Sequence, residues 1–364
     1  MSVLLRLPHG LIRRYMFFVE RLLVAAGLSV LLYGLTNNLP VYPPNWDLVI
    51  LATVFVVALW WPGAAYFLAV AAAAYPIYTL SLYIFVLFLA VALLGQRIFI
   101  HNLGATVLVL SVPWLARYNV AWAIPLLGGL WWGAAGGAWM GALSALWGQL
   151  MTGMAGRNPD WLTLIGTSPS ITGVAQRFGQ ANSLDTLKLI LEPIAPNTTL
   201  LLYHLLQVIA WAAAGGLVGL LADRAWIQQR RPWGAMVAGI MGAVALLGAH
   251  FGLALWLDQY TLTTLLSLAP VLLATTVVVA VLVIGLEGLR DLIEHPLPPA
   301  RRRPQRALRR WGSLNGRSSR ESRVRTSRSK KPGDAERGPL PVPTQLPQWD
   351  SPEGPEDLIM LELD

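Results

Sequence analysis

Residues 123–156, AIPLLGGLWWGAAGGAWMGALSALWGQLMTGMAG, contain no charged side chain. About 20 helical residues span the hydrocarbon of a bilayer, so the stretch is longer than one crossing requires. From Trp132 it reads as a helix. At about 100° per residue, Gly137, Gly141 and Gly148 fall on one side and Trp132, Trp139 and Trp147 on the other. Between helices in lipid, close backbone packing replaces the hydrophobic drive. The glycine side is therefore expected to pack inside a bundle, and the tryptophan side to face lipid or a cavity.

The rest of the chain has the same character. Of 364 residues 55% are hydrophobic and 13% charged, and the apolar residues fall in long blocks rather than in one soluble core. The absence of cysteine excludes disulfides, thiolate metal sites and cysteine nucleophiles. The net charge of +8 is an average over unlike parts. Residues 301–337 hold fourteen Lys/Arg against three acids, and 338–364 hold no base and six acids. The basic character thus belongs to a tail, not to a nucleic-acid-binding domain.

The apolar blocks give a span pattern. Arg6, Arg13 and Arg14 precede a first apolar run that lacks a small-residue cleavage site, so it reads as a retained span over about 15–35. Residues 48–95, punctuated by Pro62-Gly63 and Pro76, hold three short spans or two longer ones, and another covers about 103–116. Residues 120–154 hold one or two, and three more cover about 199–222, 233–256 and 262–287. The loop 36–47 has no Lys or Arg, whereas Arg224, Arg230, Arg231 and the basic tail flank later spans. By the positive-inside rule this puts both termini in the cytoplasm and the connection 155–198 outside, in the plasma membrane. The total is then even: ten if Gly133 to Gly137 turns the chain, which also puts Arg97 inside, or eight. Within the connection, Asn182 reads as the N-cap of a short amphipathic helix over 184–192 lying at the membrane surface. The expected fold is an all-α polytopic transmembrane bundle over 1–295 with eight to ten spans. A disordered cytoplasmic tail over 296–364 follows it.

Soluble-enzyme motifs are absent: there is no P-loop, no HExxH and no glycine-flanked serine. Polar side chains inside spans are the default places for function, because burying them in lipid is costly. With a rise of about 1.5 Å per residue, Gln149, His204, Gln207 and His250 lie at similar depth in the outer third of three helices. His204, Gln207 and Trp211 share one face, which Gly215 continues. Apolar and aromatic walls with a few converging polar groups are how small-molecule sites are built. Gln149, His204, Gln207, Trp211 and His250 are the expected ligand-binding set, with no metal, cofactor or catalytic residue. No Asp or Glu lies deep in a span, which argues against an ordinary proton-coupled pump.

The tail offers two surfaces for partners. The arginine–serine tract 317–331 suits anionic headgroups, at about 1 kcal/mol per basic residue. The terminal DLIMLELD, with Leu358, Ile359, Leu361 and Leu363 flanked by acids, suits a partner's groove.

GGLWWGAAGGAWMGALSALWG (128–148), AAAGGLVGLLADR (212–224) and APVLLATTVVVAVLVIGLEGL (269–289) resemble the substrate-binding membrane components of energy-coupling-factor vitamin transporters. They also resemble, less specifically, small membrane proteins of the cell-shape MreD type. The first resemblance implies a glycine-broken helix pair before a substrate loop, and small-residue faces that dock on a coupling subunit driven by separate ATPases. Ala65, Ala69 and Ala73 match such a face. The function expected is a small-solute binding or transport component without its own ATPase. The alternative is a membrane scaffold or accessory subunit acting through its charged tail.

Overall fold

The computed structural model describes residues 16–164, 166–167, 171–179, 181–224 and 233–294. Arg6, Arg13, Arg14, Arg230, Arg231 and the whole tail, with Leu358, Ile359, Leu361 and Leu363, lie outside the described residues.

Every described element is helical. The first six helices are α1 (Met16–Asn38), α2 (Trp46–Trp60), α3 (Pro62–Leu80), α4 (Leu82–Leu94), α5 (Gln96–His101) and α6 (Leu103–Arg117). Then come α7 (Ala123–Met154), the short α8 (Trp161–Leu164), α9 (Ile171–Phe178) and α10 (Ser183–Leu191). The last three are α11 (Thr198–Ala222), α12 (Trp233–Trp256) and α13 (Leu262–Glu294). Among the described residues, five helical stretches are long and apolar enough to cross a bilayer: Phe18–Asn38, Pro62–Leu80, Thr198–Ala222, Trp233–Trp256 and Leu262–Arg290. The apolar helices α2, α4 and α6 are shorter, at 15, 13 and 15 residues. Trp233 and Trp256, each 70% exposed, mark the two ends of α12 about 35 Å apart, the heights at which tryptophans sit in membrane interfaces.

The 120–154 block is one element broken in the middle. Gly133 has φ 71° and ψ −171°, a conformation open to glycine and costly for any side chain. The chain reverses there, so the helix begins after Gly133 rather than at Trp132. In a straight helix Gly129 and Gly137 would stand about 12 Å apart; here a Cβ on Gly137 would come within 2.6 Å of the Gly129 Cα. α7 is thus a hairpin with a short arm, 123–132, and a long arm, 134–154. The short arm, about 15 Å long, reaches through half a bilayer.

Both arms pack on α11 through backbone. A Cβ on Gly215 would meet the Gly137 carbonyl carbon at 2.6 Å and the Pro125 oxygen at 3.0 Å, and Gly219 lies against Gly133 and Ala134. Gly141 rests on the Trp211 carbonyl. Only glycines allow this approach, which trades side-chain volume for dispersion and Cα–H···O contacts. At this end of the bundle, called here the hairpin end, Trp131 Nε1 donates to Glu287 Oε2 (2.9 Å) and ties α7 to α13. Trp139 is 70% exposed, and Trp147 Nε1 donates to the Leu110 carbonyl (3.2 Å).

The first six helices have their own core of Leu28, Leu32, Val54, Tyr66, Ala72, Leu103 and Val107. Tyr66 Oη donates to the Ala92 carbonyl (2.7 Å) and joins α3 to α4. Ala65 is buried with Ala25 and Ala58, and Ala69 and Ala73 pack at the edge of the larger core. The alanine stripe therefore faces its own bundle. Val174 and Phe178 of α9, Ile190 of α10 and Ile84 of α4 form a small cluster between the two halves.

Candidate ligand site around a buried aspartate

Beyond Gly141, the facing sides of α7 and α11 become polar. Gln149 Nε2 donates to the His204 carbonyl (3.2 Å) and to Gln207 Oε1 (3.1 Å), all three residues being buried. Fixed helical rise puts these groups level with one another, and the glycine contacts below set the rotation that turns them together.

After Met154 the chain folds back into the bundle. Asp160 starts α8: its Oδ1 accepts from Leu162 N (3.1 Å) and its carbonyl from Leu164 N (3.0 Å), which satisfies the free amides of a helix start. Trp161, one residue on, is 1% exposed. Its Nε1 donates to the Ala145 carbonyl (3.3 Å), and its ring lies where a Cβ on Gly148 would stand. Gly148 thus makes room for an indole from the connection, not for a neighbouring helix.

This re-entry carries the Asp160 carboxylate to a 2% exposed position beside α11. Oδ1 also accepts from Gln207 Nε2 (2.6 Å) and Tyr203 Oη (3.1 Å), and Oδ2 accepts from Tyr260 Oη (2.6 Å). Hydrogen bonds to an ionised acceptor are about twice as strong as neutral ones, and a carboxylate this enclosed persists only when its lone pairs are filled. No acid lies deep in a span, yet one stands at the centre of the polar cluster, because the connection dips inward.

Tyr260 sits in the short link between α12 and α13. Burial first, and the Asp160 charge second, push its phenol above the ordinary value of 10. A raised acid favours the protonated, donating form, so its contribution to stability is complete below pH 10 and falls at higher pH. Thermal melting from pH 8 to 11 is expected to show a steeper alkaline loss for the wild type than for Tyr260→Phe. Parallel curves would remove Tyr260 from the cluster.

Trp161 and Trp211 rings meet at 4.3 Å between centroids. Trp211 Nε1 donates to His250 Nε2 (3.1 Å), and Trp122 stacks on His250 at 5.2 Å with 9° between planes. An indole nitrogen only donates, so His250 Nε2 accepts and its ring proton rests on Nδ1. Gln149, His204 and Gln207 therefore join directly, while Trp211 and His250 join them through Trp161. His204 faces the other way chemically: its Nδ1 lies 2.8 Å from the Ile194 carbonyl, which only accepts, so Nδ1 carries a proton and, in the neutral ring, Nε2 is an acceptor. That Nε2 is buried and has no partner among the described residues.

His204 also lines an open cleft of about 720 Å³, with Arg157, Asn158, Gln176, Arg177 and Glu192 around it. Arg177 Nη1 donates to the Gly153 carbonyl (2.6 Å) at the end of α7. Asp160, Trp161 and Tyr260 lie outside the spans, and Tyr203, inside one, is indistinguishable in sequence from a packing aromatic. The signal available was Asn158-Pro159-Asp160-Trp161, an Asp N-cap ahead of apolar residues.

The helices and their exposed apolar faces give the architecture of an integral membrane bundle. Compared with known proteins, the chain matches no family model, no curated protein and no solved structure.

Proposed function

We propose that this protein is a small-solute binding or transport component of the plasma membrane, working without an ATPase of its own. The observation that carries the reading is the continuity between the cleft and the buried polar cluster through His204. A solute entering between 155–159 and 192–200 meets His204 first, with Gln149, Gln207, Trp211 and His250 behind it. The cleft volume lies in the usual range for small-molecule sites, about 300–1,000 Å³. The resemblance to substrate-binding components of energy-coupling-factor transporters fits this role, with α7 as the broken helix pair and 155–198 as the substrate loop. Any dock on a coupling subunit would use a surface other than Ala65, which is buried against Ala25 and Ala58.

The orientation that goes with it has both termini in the cytoplasm and the cleft outside. It requires an even number of crossings, and in the count of ten the short arm of α7, with the turn before it, would have to complete the sixth. Neighbour contacts agree with such alternation: Arg21 near the start of α1 donates to the carbonyl of Leu59 at the end of α2 (3.2 Å), and a Cβ on Gly133 would lie 4.0 Å from Asp223 Oδ2 at the end of α11. With no native cysteine, single cysteines report cleanly. Ser183→Cys is expected to react with a membrane-impermeant maleimide on intact cells, and Ser318→Cys only after permeabilisation. The reverse pattern would put the cleft in the cytoplasm.

The binding test is a retention screen. Purified full-length protein in lipid nanodiscs is exposed to a defined library of small metabolites, and retained compounds are identified by mass spectrometry. The wild type is expected to retain at least one compound saturably, and His204→Ala with Gln207→Ala to lose it. No retention, or equal retention by the variant, would end the proposal and favour a scaffold.

A further inference from the structure

The cleft has a chemical bias. Two guanidinium groups, Arg157 and Arg177, stand against one carboxylate, Glu192, so the wall favours an anion over a cation. Arg177 commits Nη1 to the Gly153 carbonyl and keeps further N–H donors in its planar fork, the geometry that matches carboxylates. Asn158 and Gln176 add neutral hydrogen-bonding capacity. His204 introduces the opposite need. Its Nδ1 proton is held by the Ile194 carbonyl, leaving Nε2 as a buried acceptor that no described residue fills. A buried acceptor without a donor costs about 1–3 kcal/mol, so a ligand that supplies one is selected over one that does not. Such an imidazole nitrogen also suits metals, but among the described residues no three His, Asp or Glu side chains come together to complete a set.

We infer that the cleft takes a small organic acid that also carries an N–H or O–H donor, the donor going to His204 Nε2 and the carboxylate to the Arg157–Arg177 wall. A cation meets two guanidiniums, a simple anion leaves Nε2 unfilled, and a neutral donor leaves the arginine wall unused. This deepens the solute-binding reading and rests on it.

The test uses matched triples on the full-length protein in nanodiscs, read by equilibrium binding. One triple is indole-2-carboxylate, 1-methylindole-2-carboxylate and indole-2-carboxamide, and a second is salicylate, 2-methoxybenzoate and salicylamide. The acid with a free donor is expected to bind saturably, and methylation or amidation each to weaken it about tenfold or more. In His204→Phe, which keeps a ring of similar shape, the cost of methylation is expected to vanish. In Arg157→Gln, at an exposed position, the acid is expected to weaken while the amide does not; melting curves check that both variants are folded. Methylated or amide analogues binding within about twofold of the acid would overturn the inference, as would binding of none of the six compounds. Should the retention screen then still capture neutral or cationic compounds, solute binding stands and only its chemistry falls. Should it capture nothing, both fall.

Discussion

Asp160→Ala is expected to lower the melting temperature of the purified protein by about 10 °C, corresponding to about 4 kcal/mol. The substitution strips the acceptor from Gln207 Nε2, Tyr203 Oη, Tyr260 Oη and Leu162 N in one step. Each buried donor left without a partner costs about 1–3 kcal/mol, less where it re-pairs with a neighbour. Asp160→Asn keeps one carbonyl oxygen and a planar group of the same size, and Tyr260 can turn to accept, so a loss of about 1–2 kcal/mol is expected. Because the partners act as a unit, Tyr203→Phe should cost clearly less in the Asp160→Ala background than alone. An Asp160→Ala variant that melts within 2 °C of the wild type would show that the carboxylate pins nothing.

Gly215→Val is expected to abolish the folded bundle, read as loss of monodisperse protein after detergent extraction. The new side chain would start inside the Gly137 carbonyl and face the Pro125 oxygen at 3.0 Å, backbone on two sides, which cannot swing away. Separation of α7 from α11 would follow, and with it the alignment of Gln149 with Gln207. Gly248→Ala is the control: nothing lies within 4 Å of that position, and alanine in a helix interior is favoured over glycine by about 0.5–1 kcal/mol. A folded Gly215→Val protein would refute the claim that backbone contact holds these helices.

The helices and the depths of Gln149, His204, Gln207 and His250 are countable, because hydropathy marks span ends and helical rise is constant. The glycine-rich side of 134–154 is equally visible from its spacing. Asp160 is not, since nothing local says that a polar connection turns back into the bundle, and its partners lie 43, 47 and 100 residues further on. Gly148 illustrates the same limit: its periodicity marks a close contact without saying whether a backbone or the Trp161 ring occupies it. Gly133 stands between the two, because the glycine run marks a place where the chain turns while leaving the residue open. The alanine spacing of 65, 69 and 73 gives a packing face without naming its partner, here helices of the same bundle.

The distance in sequence between Asp160 and its last partner has a consequence for how the chain is made. Tyr260 emerges from the ribosome 100 residues after Asp160. Until α12 and the start of α13 have been threaded, half of the carboxylate has only water or headgroups to bond. The inward dip of 155–164 is therefore completed after synthesis of the segments on both sides of it, and a nascent chain stopped before 260 should carry Trp161 and Asp160 in a protease-sensitive, solvated loop.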